Sequence, residues 1–367
     1  MAITEKDREY MQLALSLAAK GVGYTNPNPM VGAVIVKDDQ ILGQGYHKCC
    51  GQGHAEVEAF KDAGDADVRG ATIYVTLEPC SHYGKTPPCA DKIIEKGIRR
   101  AVIGAPDPNP LVSGRGIAKL QAAGIEVVSG LMAEESIRLN EIFMKYIVDK
   151  KPFVLYKSAM SLDGKTATSA GESQWISCEA SREEVHRLRN QYMSIMVGIG
   201  TVLADDPMLN CRIPGGKDPV RVVVDSQLRI PTDCRLVQSA GDIPLIVACL
   251  PQADPDKRQT LIDLGADVLT VGEKDGHVDM AALVSLLGQM GIDSVLLEGG
   301  PTLAFAAFEA GIIDKVQIYA APKILGGVTA KTPLGGKGFE KLSQAPQLKG
   351  LSARTVGDDI CITGYLH

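Results

Sequence analysis

The chain has 367 residues, of which 45% are hydrophobic and 22% are charged. This composition is typical of a folded globular protein, and the length is enough for two domains. The formal net charge is −6 and the sequence pI is about 5.6. We therefore do not expect nonspecific binding of nucleic acid through a general basic surface.

The cysteines and the apolar segments indicate in which cellular compartment the protein is expected. The nine cysteines are scattered without a disulfide framework, which favours reduced thiols in the cytoplasm. The start of the chain is charged and has no apolar signal core. No apolar run approaches the roughly 18 residues that a membrane helix needs. We expect a cytoplasmic protein that does not bind membranes.

The first half alternates helical and strand periodicity, which predicts a mixed sheet with covering helices. Two strands should form a hairpin through Asp38 and Asp39. A charged segment that ends at Pro152 marks the expected boundary between domains 1–149 and 150–367. The predicted helices cover residues 6–20, 55–63, 90–96 and 132–146, and the predicted strands cover 31–36, 41–45, 71–77 and 101–104.

The second half begins again with a strand and alternates short apolar runs with helical stretches. This alternation predicts a mostly parallel sheet. Ligands of such sheets gather at the carboxyl ends of the strands. The predicted strands cover residues 153–159, 195–197, 220–224, 245–248, 295–297, 316–320 and 360–365, and a helix is expected over 303–310.

Three residues have the identity and order of ligands in a catalytic zinc site: His54, Cys80 and Cys89. Such a site keeps three protein ligands and one open position for a water molecule, whose pKa falls. In zinc-dependent nucleobase deaminases the glutamate two residues after the histidine carries protons, and Glu56 stands there. We therefore expect hydrolytic deamination.

The local context supports this interpretation against a chance His-x-Glu and two buried thiols. The strand 71–77 should deliver Cys80, and His54 and Cys89 should each lie at the start of a helix. Helix amides and the helix dipole favour a thiolate at such a place. Eight residues separate the two cysteines, whereas the common signature has two.

Two glycine turns follow strands of the second half, at 198–201 and 298–302. Glycine allows a phosphate to approach the backbone, and a helix that starts there offers free amides. Neither turn has the six-residue dinucleotide fingerprint. A tight connection without a ligand is the alternative interpretation.

Eight short motifs are distributed along nearly the whole chain. They cover residues 54–56 (HAE), 76–89 (TLEPCSHYGKTPPC), 107–110 (DPNP), 114–116 (GRG), 161–164 (SLDG), 171–175 (GESQW), 204–207 (ADDP) and 298–301 (EGGP). Together they resemble the bifunctional riboflavin-biosynthesis deaminase-reductases, the RibD or RibG family. The expanded cysteine spacing is specific to that group.

The resemblance implies a fold and two consecutive reactions. The first domain would be cytidine-deaminase-like and the second similar to dihydrofolate reductase. With Zn²⁺, the first would deaminate 2,5-diamino-6-(5-phosphoribosylamino)pyrimidin-4(3H)-one. With NADPH, the second would reduce the ribosyl chain to give 5-amino-6-(5-phosphoribitylamino)uracil. The resemblance also implies a homo-oligomer that acts on a small phosphorylated pyrimidine.

For the deaminase domain, the resemblance implies that Glu56 is the proton carrier and that four residues contact the substrate. Asn28 looks like the pyrimidine or ribose contact, although an Asx turn between two prolines is an equal alternative. His47, His82 and Lys85 resemble the residues that hold the sugar and phosphate. A solvated surface side chain is the alternative for Lys85.

For the reductase domain, the resemblance implies two groups of positions. The NADPH positions are Ala159, Trp175, Thr201, Asp205, Ser226, Gly300, Pro301, Thr302, Leu303, Ala304, Phe305 and Ala306. The substrate positions are Lys157, Ser173, Arg189, Leu209, Arg212 and Glu298.

Several of these roles have alternatives. Lys157 could hold the sugar or polarise the reacting carbon, and Asp205 could place a proton or bind the cofactor ribose, so the proton donor stays open. A solvated helix face is the alternative for Arg189, and core packing is the alternative for Trp175. Ser226 and Arg229 are candidates for the 2′-phosphate of NADPH. His186, His277 and His367 lie in no motif and are interpreted as ordinary histidines.

Two other functions are compatible with parts of the sequence. One is a nucleoside or tRNA deaminase whose second half only binds substrate. The other is a regulatory protein with a structural zinc ion. Glu56 argues against the second, because a structural zinc site has no use for a proton carrier.

Overall fold

The computed structural model describes residues 3–81, 87–109 and 113–366. The chain forms two compact units, Met1–Lys150 and Lys151–His367. Across the described ranges, no helix combines the length and the apolar character needed to cross a membrane.

The first unit contains a mixed sheet. Its strands are β1 (Gly32–Lys37), β2 (Gln40–Tyr46), β3 (Thr72–Leu77), β4 (Arg100–Ala105) and β5 (Glu126–Ser129), in the order β2-β1-β3-β4-β5. The pairs β1–β2 and β1–β3 are antiparallel, whereas β3, β4 and β5 run parallel. Asp38 and Asp39 join β1 to β2 with φ of 51° and 61°, the left-handed conformation of tight hairpin turns. The predicted hairpin and mixed sheet are confirmed.

Helices cover both faces of this sheet. They are α1 (Glu5–Ala18), α2 (Ala55–Ala63), α3 (Cys89–Glu95), α4 (Arg115–Ala122), α5 (Ala133–Leu139) and α6 (Glu141–Asp149). Successive residues of a strand point to opposite faces: Ala33 and Ile35 pack with α2, α3 and α4, whereas Val34 and Val36 pack with α1. The helices α2 and α3 therefore share one face, which brings their amino-terminal ends near each other.

A buried ion pair joins α1 to the sheet. The carboxylate of Asp7, only 2% exposed, accepts hydrogen bonds from Arg100 at 2.6 and 3.2 Å and from the Tyr74 hydroxyl at 2.7 Å. Burial alone would raise the pKa of Asp7, but Arg100, Thr4 and Tyr74 hold it well below its usual value. The native structure therefore stabilises the ionised carboxylate.

We expect Asp7→Asn to lower the free energy of unfolding of the first unit by about 3 kcal/mol, because it removes the buried carboxylate partner of Arg100 and leaves only the partly exposed Glu126, 3.6 Å away, as a counter-ion. Since the pKa of Asp7 is lower in the folded state, its ionised carboxylate contributes fully to the free energy of unfolding above about pH 5. This contribution is lost as pH falls below about 4. Urea unfolding of the wild type and of Asp7→Asn across this pH range measures the difference in free energy of unfolding. A difference that stays constant down to low pH would contradict the role of ionisation, and Glu9→Gln on the exposed face of α1 is the control.

The second unit contains a nine-stranded sheet that is mostly parallel. Its strands are β6 (Phe153–Ser161), β7 (Ser194–Gly198), β8 (Val220–Val224), β9 (Leu245–Cys249), β10 (Asp267–Thr270), β13 (Ser294–Leu297), β14 (Lys315–Ala321), β15 (Lys349–Val356) and β16 (Asp359–Tyr365). Their order is β10-β9-β8-β7-β13-β6-β14-β16-β15, and the antiparallel pairs are β14–β16 and β16–β15. A separate small hairpin consists of β11 (Glu273–Lys274) and β12 (His277–Val278). The mostly parallel sheet is as predicted.

Helices also cover both faces of the second sheet. They are α7 (Glu179–Gln191), α8 (Ile199–Asp205), α9 (Arg235–Gln238), α10 (Pro255–Asp263), α11 (Met280–Gln289) and α12 (Pro301–Glu309). The central strands β8, β7, β13 and β6 are neighbours and run in the same direction. The loops that follow these four strands therefore leave the sheet at one edge.

Some elements differ from the prediction. The helical stretch expected over residues 132–146 is two helices, α5 and α6, which are interrupted at Asn140. The Asn140 side chain binds both backbone groups of Met30, accepting from its N–H at 2.8 Å and donating to its carbonyl at 2.9 Å. The strands β5, β10, β11, β12 and β15 were not predicted. In β15 every residue but Val356 is exposed, so no alternation of apolar residues marks it.

Candidate active sites

Three side chains that commonly bind metal lie together in the first unit. The Nδ1 atom of His54 is 3.6 Å from Sγ of Cys80 and 3.3 Å from Sγ of Cys89. One ligand atom from each residue lies within 4.8 Å of the other two. Two thiols and one imidazole suit zinc, and three protein ligands leave a position for water. The residues present thus fit a catalytic zinc ion.

The fold explains why these three residues meet. His54 immediately precedes α2, and Cys89 is the first residue of α3. Cys80 follows β3, and its sulfur accepts a hydrogen bond of 3.2 Å from the backbone N–H of Cys89. Both helices approach through their amino-terminal ends, where the dipole favours negatively charged sulfur.

Glu56 lies in the first turn of α2 and is 3% exposed. Burial, reinforced by the charge of Cys80, raises the pKa of this carboxyl group to about 6. The neighbouring His54 and the Cys89 side chain act in the opposite direction on this pKa. The structure therefore brings a buried carboxyl group to the three candidate metal ligands.

Glu78 connects this cluster to the start of α4. Its carboxylate accepts four backbone hydrogen bonds of 2.9–3.3 Å, from the N–H groups of Asp107, Gly114, Gly116 and Ile117. At Gly116 a Cβ atom would lie 2.1 Å from the carbonyl oxygen of Pro79, so only glycine fits there. These contacts hold the backbone that leads from β3 to Cys80.

Two of the predicted substrate contacts lie beside the cluster. The Asn28 amide nitrogen is 3.4 Å from Nε2 of His47, and the rings of His47 and His54 meet edge to face at 5.7 Å. Burial lowers the pKa of His47, which favours its neutral form. His82 and Lys85 lie outside the described residues.

Asn140 is a residue of this site that the sequence analysis missed. Its two hydrogen bonds to Met30 fasten the segment that carries Asn28. The sequence offered no clear signal, because the predicted helical stretch 132–146 also contains the charged residues Glu135, Arg138 and Glu141.

In the second unit, three charged side chains meet at the carboxyl edge of the sheet. Arg189 donates to both oxygens of Glu298 at 3.2 and 3.1 Å, and Nζ of Lys157 is 3.9 Å from the same carboxylate. Each side chain is 12–14% exposed, so Arg189 does not lie on a solvated helix face. Burial would raise the pKa of Glu298, but Arg189 and Lys157 lower it to about 2. Burial lowers the pKa of Lys157 despite the opposing effect of Glu298.

His186 and Arg212 extend this group. His186 lies on α7, three residues before Arg189, and its ring contacts the backbone and the guanidinium of Arg212. His186 was expected to be an ordinary histidine, since it lies in no motif. Its i, i+3 spacing from Arg189 on a predicted helix was the signal available. Leu209 belongs to the loop that carries Arg212, and it is buried with φ of 53°.

Several predicted cofactor residues lie along this edge. Thr201 lies in the first turn of α8 after β7, and Ser226 follows β8 by two residues. Gly300 precedes α12, and a Cβ atom there would lie 3.9 Å from Oγ1 of Thr201. The two glycine turns are therefore neighbours in space. Within the segment Gly300 to Ala306, the side chains of Leu303, Ala304 and Phe305 are buried, so a phosphate would meet backbone amides of the first turn.

The other predicted positions are more dispersed. Ala159 lies on β6, and Asp205 is the exposed last residue of α8. Trp175 is 57% exposed, so core packing is wrong for it, and the Arg182 guanidinium lies 4.7 Å from its ring centre. Ser173 is half-buried in the loop that carries Trp175. The Ser226 hydroxyl accepts a hydrogen bond of 3.2 Å from the backbone of Val278.

Comparison with known families agrees with this division. Residues 4–105 match the cytidine and deoxycytidylate deaminase zinc-binding region, and residues 152–362 match the RibD C-terminal domain. Each match lies within one of the two compact units.

Full-length relatives have the same organisation. The chain is 51% identical to the riboflavin biosynthesis protein RibD of Actinobacillus pleuropneumoniae over 98% of this chain and 95% of the relative. It is 43% identical to RibD of Escherichia coli over 97% of this chain and 98% of the relative. A Thermotoga maritima structure, a diaminohydroxyphosphoribosylaminopyrimidine deaminase/5-amino-6-(5-phosphoribosylamino)uracil reductase, is 37% identical with a TM-score of 0.87, covering 98% of this chain and 99% of that one. The chain belongs to the RibD family of riboflavin biosynthesis proteins.

Proposed function

We propose that this protein catalyses two consecutive steps on one phosphorylated pyrimidine. The first is hydrolytic deamination of 2,5-diamino-6-(5-phosphoribosylamino)pyrimidin-4(3H)-one by residues 1–149. The second is NADPH-dependent reduction of the ribosyl side chain by residues 150–367, which gives 5-amino-6-(5-phosphoribitylamino)uracil. The observation that carries the proposal is that each unit has its own compact cluster of chemically suitable side chains, in a chain related along its length to a deaminase/reductase.

In the first unit, His54, Cys80 and Cys89 would hold zinc. When bound, zinc would lower the pKa of the attacking water molecule. Glu56 would take one proton from the attacking water and pass it to the ring nitrogen, and it would then take the remaining hydroxyl proton and pass it to the departing amine. The buried position of Glu56 beside the three candidate ligands supports this role. Water then supplies the new carbonyl oxygen, and ammonia leaves.

Substrate orientation in the first unit would depend on Asn28, His47, His82 and Lys85. Asn28 and His47 can offer hydrogen bonds to the pyrimidine or the sugar. Their contacts with each other and with Gly53, 3.4 and 3.1 Å respectively, support a defined orientation. Lys85 would pair with the phosphate.

In the second unit, NADPH would supply the hydride that reduces the sugar carbon. Thr201, Ser226 and the start of α12 would bind the cofactor, and Arg229 would face its 2′-phosphate. Half of the Arg229 side chain is exposed, and its Nε atom is 4.0 Å from Asp225. An exposed cation at the end of β8 is suited to pair with a phosphate.

The substrate of the second unit would lie against Lys157, Glu298 and Arg212, with Ser173 and Leu209 beside them. Arg189 already uses three N–H groups on Glu298 and on the carbonyl of Asn210, so its main effect would be to orient Glu298. Lys157 and Asp205 are the two candidates for delivering the proton that accompanies the hydride. Lys157 is buried beside Glu298, whereas Asp205 is exposed.

We also propose that the protein is cytoplasmic and forms a homo-oligomer. All nine cysteines are free, which is usual in a reducing compartment. The oligomer rests on the family resemblance, and sedimentation equilibrium of the purified chain measures it.

A coupled assay tests the proposed function. With the diaminopyrimidine substrate and NADPH, ammonia release should precede NADPH oxidation, and NADH should support the second step less well. Removal of zinc with a chelator should stop ammonia release while reduction of the already deaminated intermediate continues. Turnover of cytidine or adenosine without NADPH oxidation would favour a nucleoside or tRNA deaminase instead. Bound zinc without ammonia release would favour a structural metal.

A further inference from the structure

His186 is the one histidine of the second unit that lies in the charged cluster, among the residues that the structure describes. Its half-buried ring faces Arg212 through both nitrogens. The backbone N–H of Arg212 is 3.2 Å from Nδ1, and the guanidinium Nε is 3.0 Å from Nε2. The carbonyl oxygen of His186 also accepts a hydrogen bond of 3.4 Å from the thiol of Cys211. The loop at 211–212 therefore lies against one residue of α7, held by the Cys211 thiol and by one ring nitrogen of His186.

The surroundings of His186 keep its ring neutral. Burial is the largest effect that lowers its pKa, and the charges of Arg189, Arg212 and Lys157 add to it against the opposing charge of Glu298, giving a value of about 4. A neutral imidazole has one N–H donor and one acceptor nitrogen. Arg212 presents two donors to this ring, so only one of them can be satisfied at a time. The guanidinium of Arg212 therefore keeps hydrogen-bonding capacity for another acceptor.

Arg212 is also the cation of this cluster that lacks a carboxylate partner. Arg189 is engaged with Glu298 and Asn210, and Lys157 lies beside Glu298. Arg212 is exposed and forms no ion pair with any carboxylate of the described ranges. The cluster has three cations and one carboxylate, an excess of two positive charges. A phosphate monoester carries about −1.5 to −2 at neutral pH, which matches this excess.

We propose that His186 is a positioning residue of the reductase site, which acts as a neutral hydrogen-bond acceptor and holds the Arg212 guanidinium towards the phosphate of the substrate. This inference rests on the proposed reduction of a phosphorylated pyrimidine. His186 itself does not touch the reacting atoms. Its removal should therefore weaken substrate binding and leave the chemical step nearly unchanged.

Steady-state reduction of the deaminated intermediate by the full-length protein tests this role. His186→Ala should raise KM for the pyrimidine by about 10- to 100-fold, the usual effect of losing a hydrogen bond to a charged group. The value of kcat should stay within about threefold, and KM for NADPH should not change. His186→Gln keeps an acceptor near the position of Nε2, and it should restore most of the affinity. Arg187→Ala, the next residue of α7 and exposed, is the matched control.

The dependence on Arg212 separates positioning from a general loss of structure. Arg212→Ala should raise KM at least as much as His186→Ala, and the double variant should be no worse than Arg212→Ala alone, because both changes remove one interaction. If the KM increases of the two single variants multiply in the double variant, the proposal is wrong. It is also wrong if KM is unchanged in His186→Ala, or if that variant loses only kcat.

Direct binding of ribose 5-phosphate keeps this inference separable from the proposed function. Calorimetry of the wild type should detect binding that weakens about tenfold or more in His186→Ala and recovers in His186→Gln. Equal affinity in the wild type and in His186→Ala, or no binding to the wild type, would refute the inference. Binding that depends on His186 in a protein that does not oxidise NADPH would refute the proposed reduction alone.

Discussion

Glu56→Gln is expected to reduce deamination by on the order of a thousand-fold or more, within the range that general acid–base groups contribute. Glutamine keeps the size of the side chain but cannot accept a proton from water or pass it to the leaving amine. The three candidate zinc ligands are untouched, so zinc content should stay at the wild-type level. Ammonia release from the diaminopyrimidine measures the loss, and elemental analysis measures the zinc.

The second reaction is an internal control for this variant. Reduction of the already deaminated intermediate by Glu56→Gln should proceed at the wild-type rate, because the reducing residues belong to the other unit. Glu95→Gln changes an exposed carboxylate of α3 and should leave both reactions unchanged. Loss of both reactions in Glu56→Gln would show that the two sites are not independent, and near-normal ammonia release would remove Glu56 from the mechanism.

Glu298→Gln is expected to lower kcat/KM for reduction by about 100-fold or more, as small displacements of positioning groups do. The carboxylate is the counter-ion of both Arg189 and Lys157. Its removal leaves two cations close together with little access to solvent, and breaking a buried ion pair costs about 3–5 kcal/mol. Lys157 also loses the charge that opposes the lowering of its pKa. If protonated Lys157 is required, the decline of reduction at high pH should therefore move to lower pH.

Two comparisons complete this experiment. Glu183→Gln removes an exposed carboxylate of α7, paired with Arg187 at 3.5 Å, and should reduce the substrate normally. Deamination by Glu298→Gln should equal that of the wild type. Reduction at the wild-type rate in Glu298→Gln would exclude the carboxylate from the site. An unchanged pH profile would favour Asp205 over Lys157 as the proton source.

The candidate metal cluster could be predicted from the sequence because the patterns that indicate it lie close to the ligands in the chain. A β-branched run predicts the strand before Cys80, and prolines before Cys89 predict a helix start. The observed helix α2 covers Ala55–Ala63, as the periodicity indicates. Once two helices start on one face of a sheet, their first residues must lie near its edge.

The hydrogen bonds that hold the site residues in place could not be predicted in this way. Glu78 binds amides 29 to 39 residues further along the chain, and Asn140 binds Met30 across 110 residues. Arg189 and Glu298 are 109 residues apart. No periodicity encodes such pairs, since they depend on strand order and on which loops leave the sheet at the same edge.

The sequence by itself therefore determined the two α/β units, the family motifs and the candidate metal and proton-carrying residues, because hydrophobic period, turn residues and short spacings are properties of neighbouring residues. Only the tertiary structure decided that Arg189 is committed to Glu298, that Trp175 is exposed, and that His186 holds Arg212. Burial and electrostatic pairing set those roles, and both arise only when segments distant in the chain pack together.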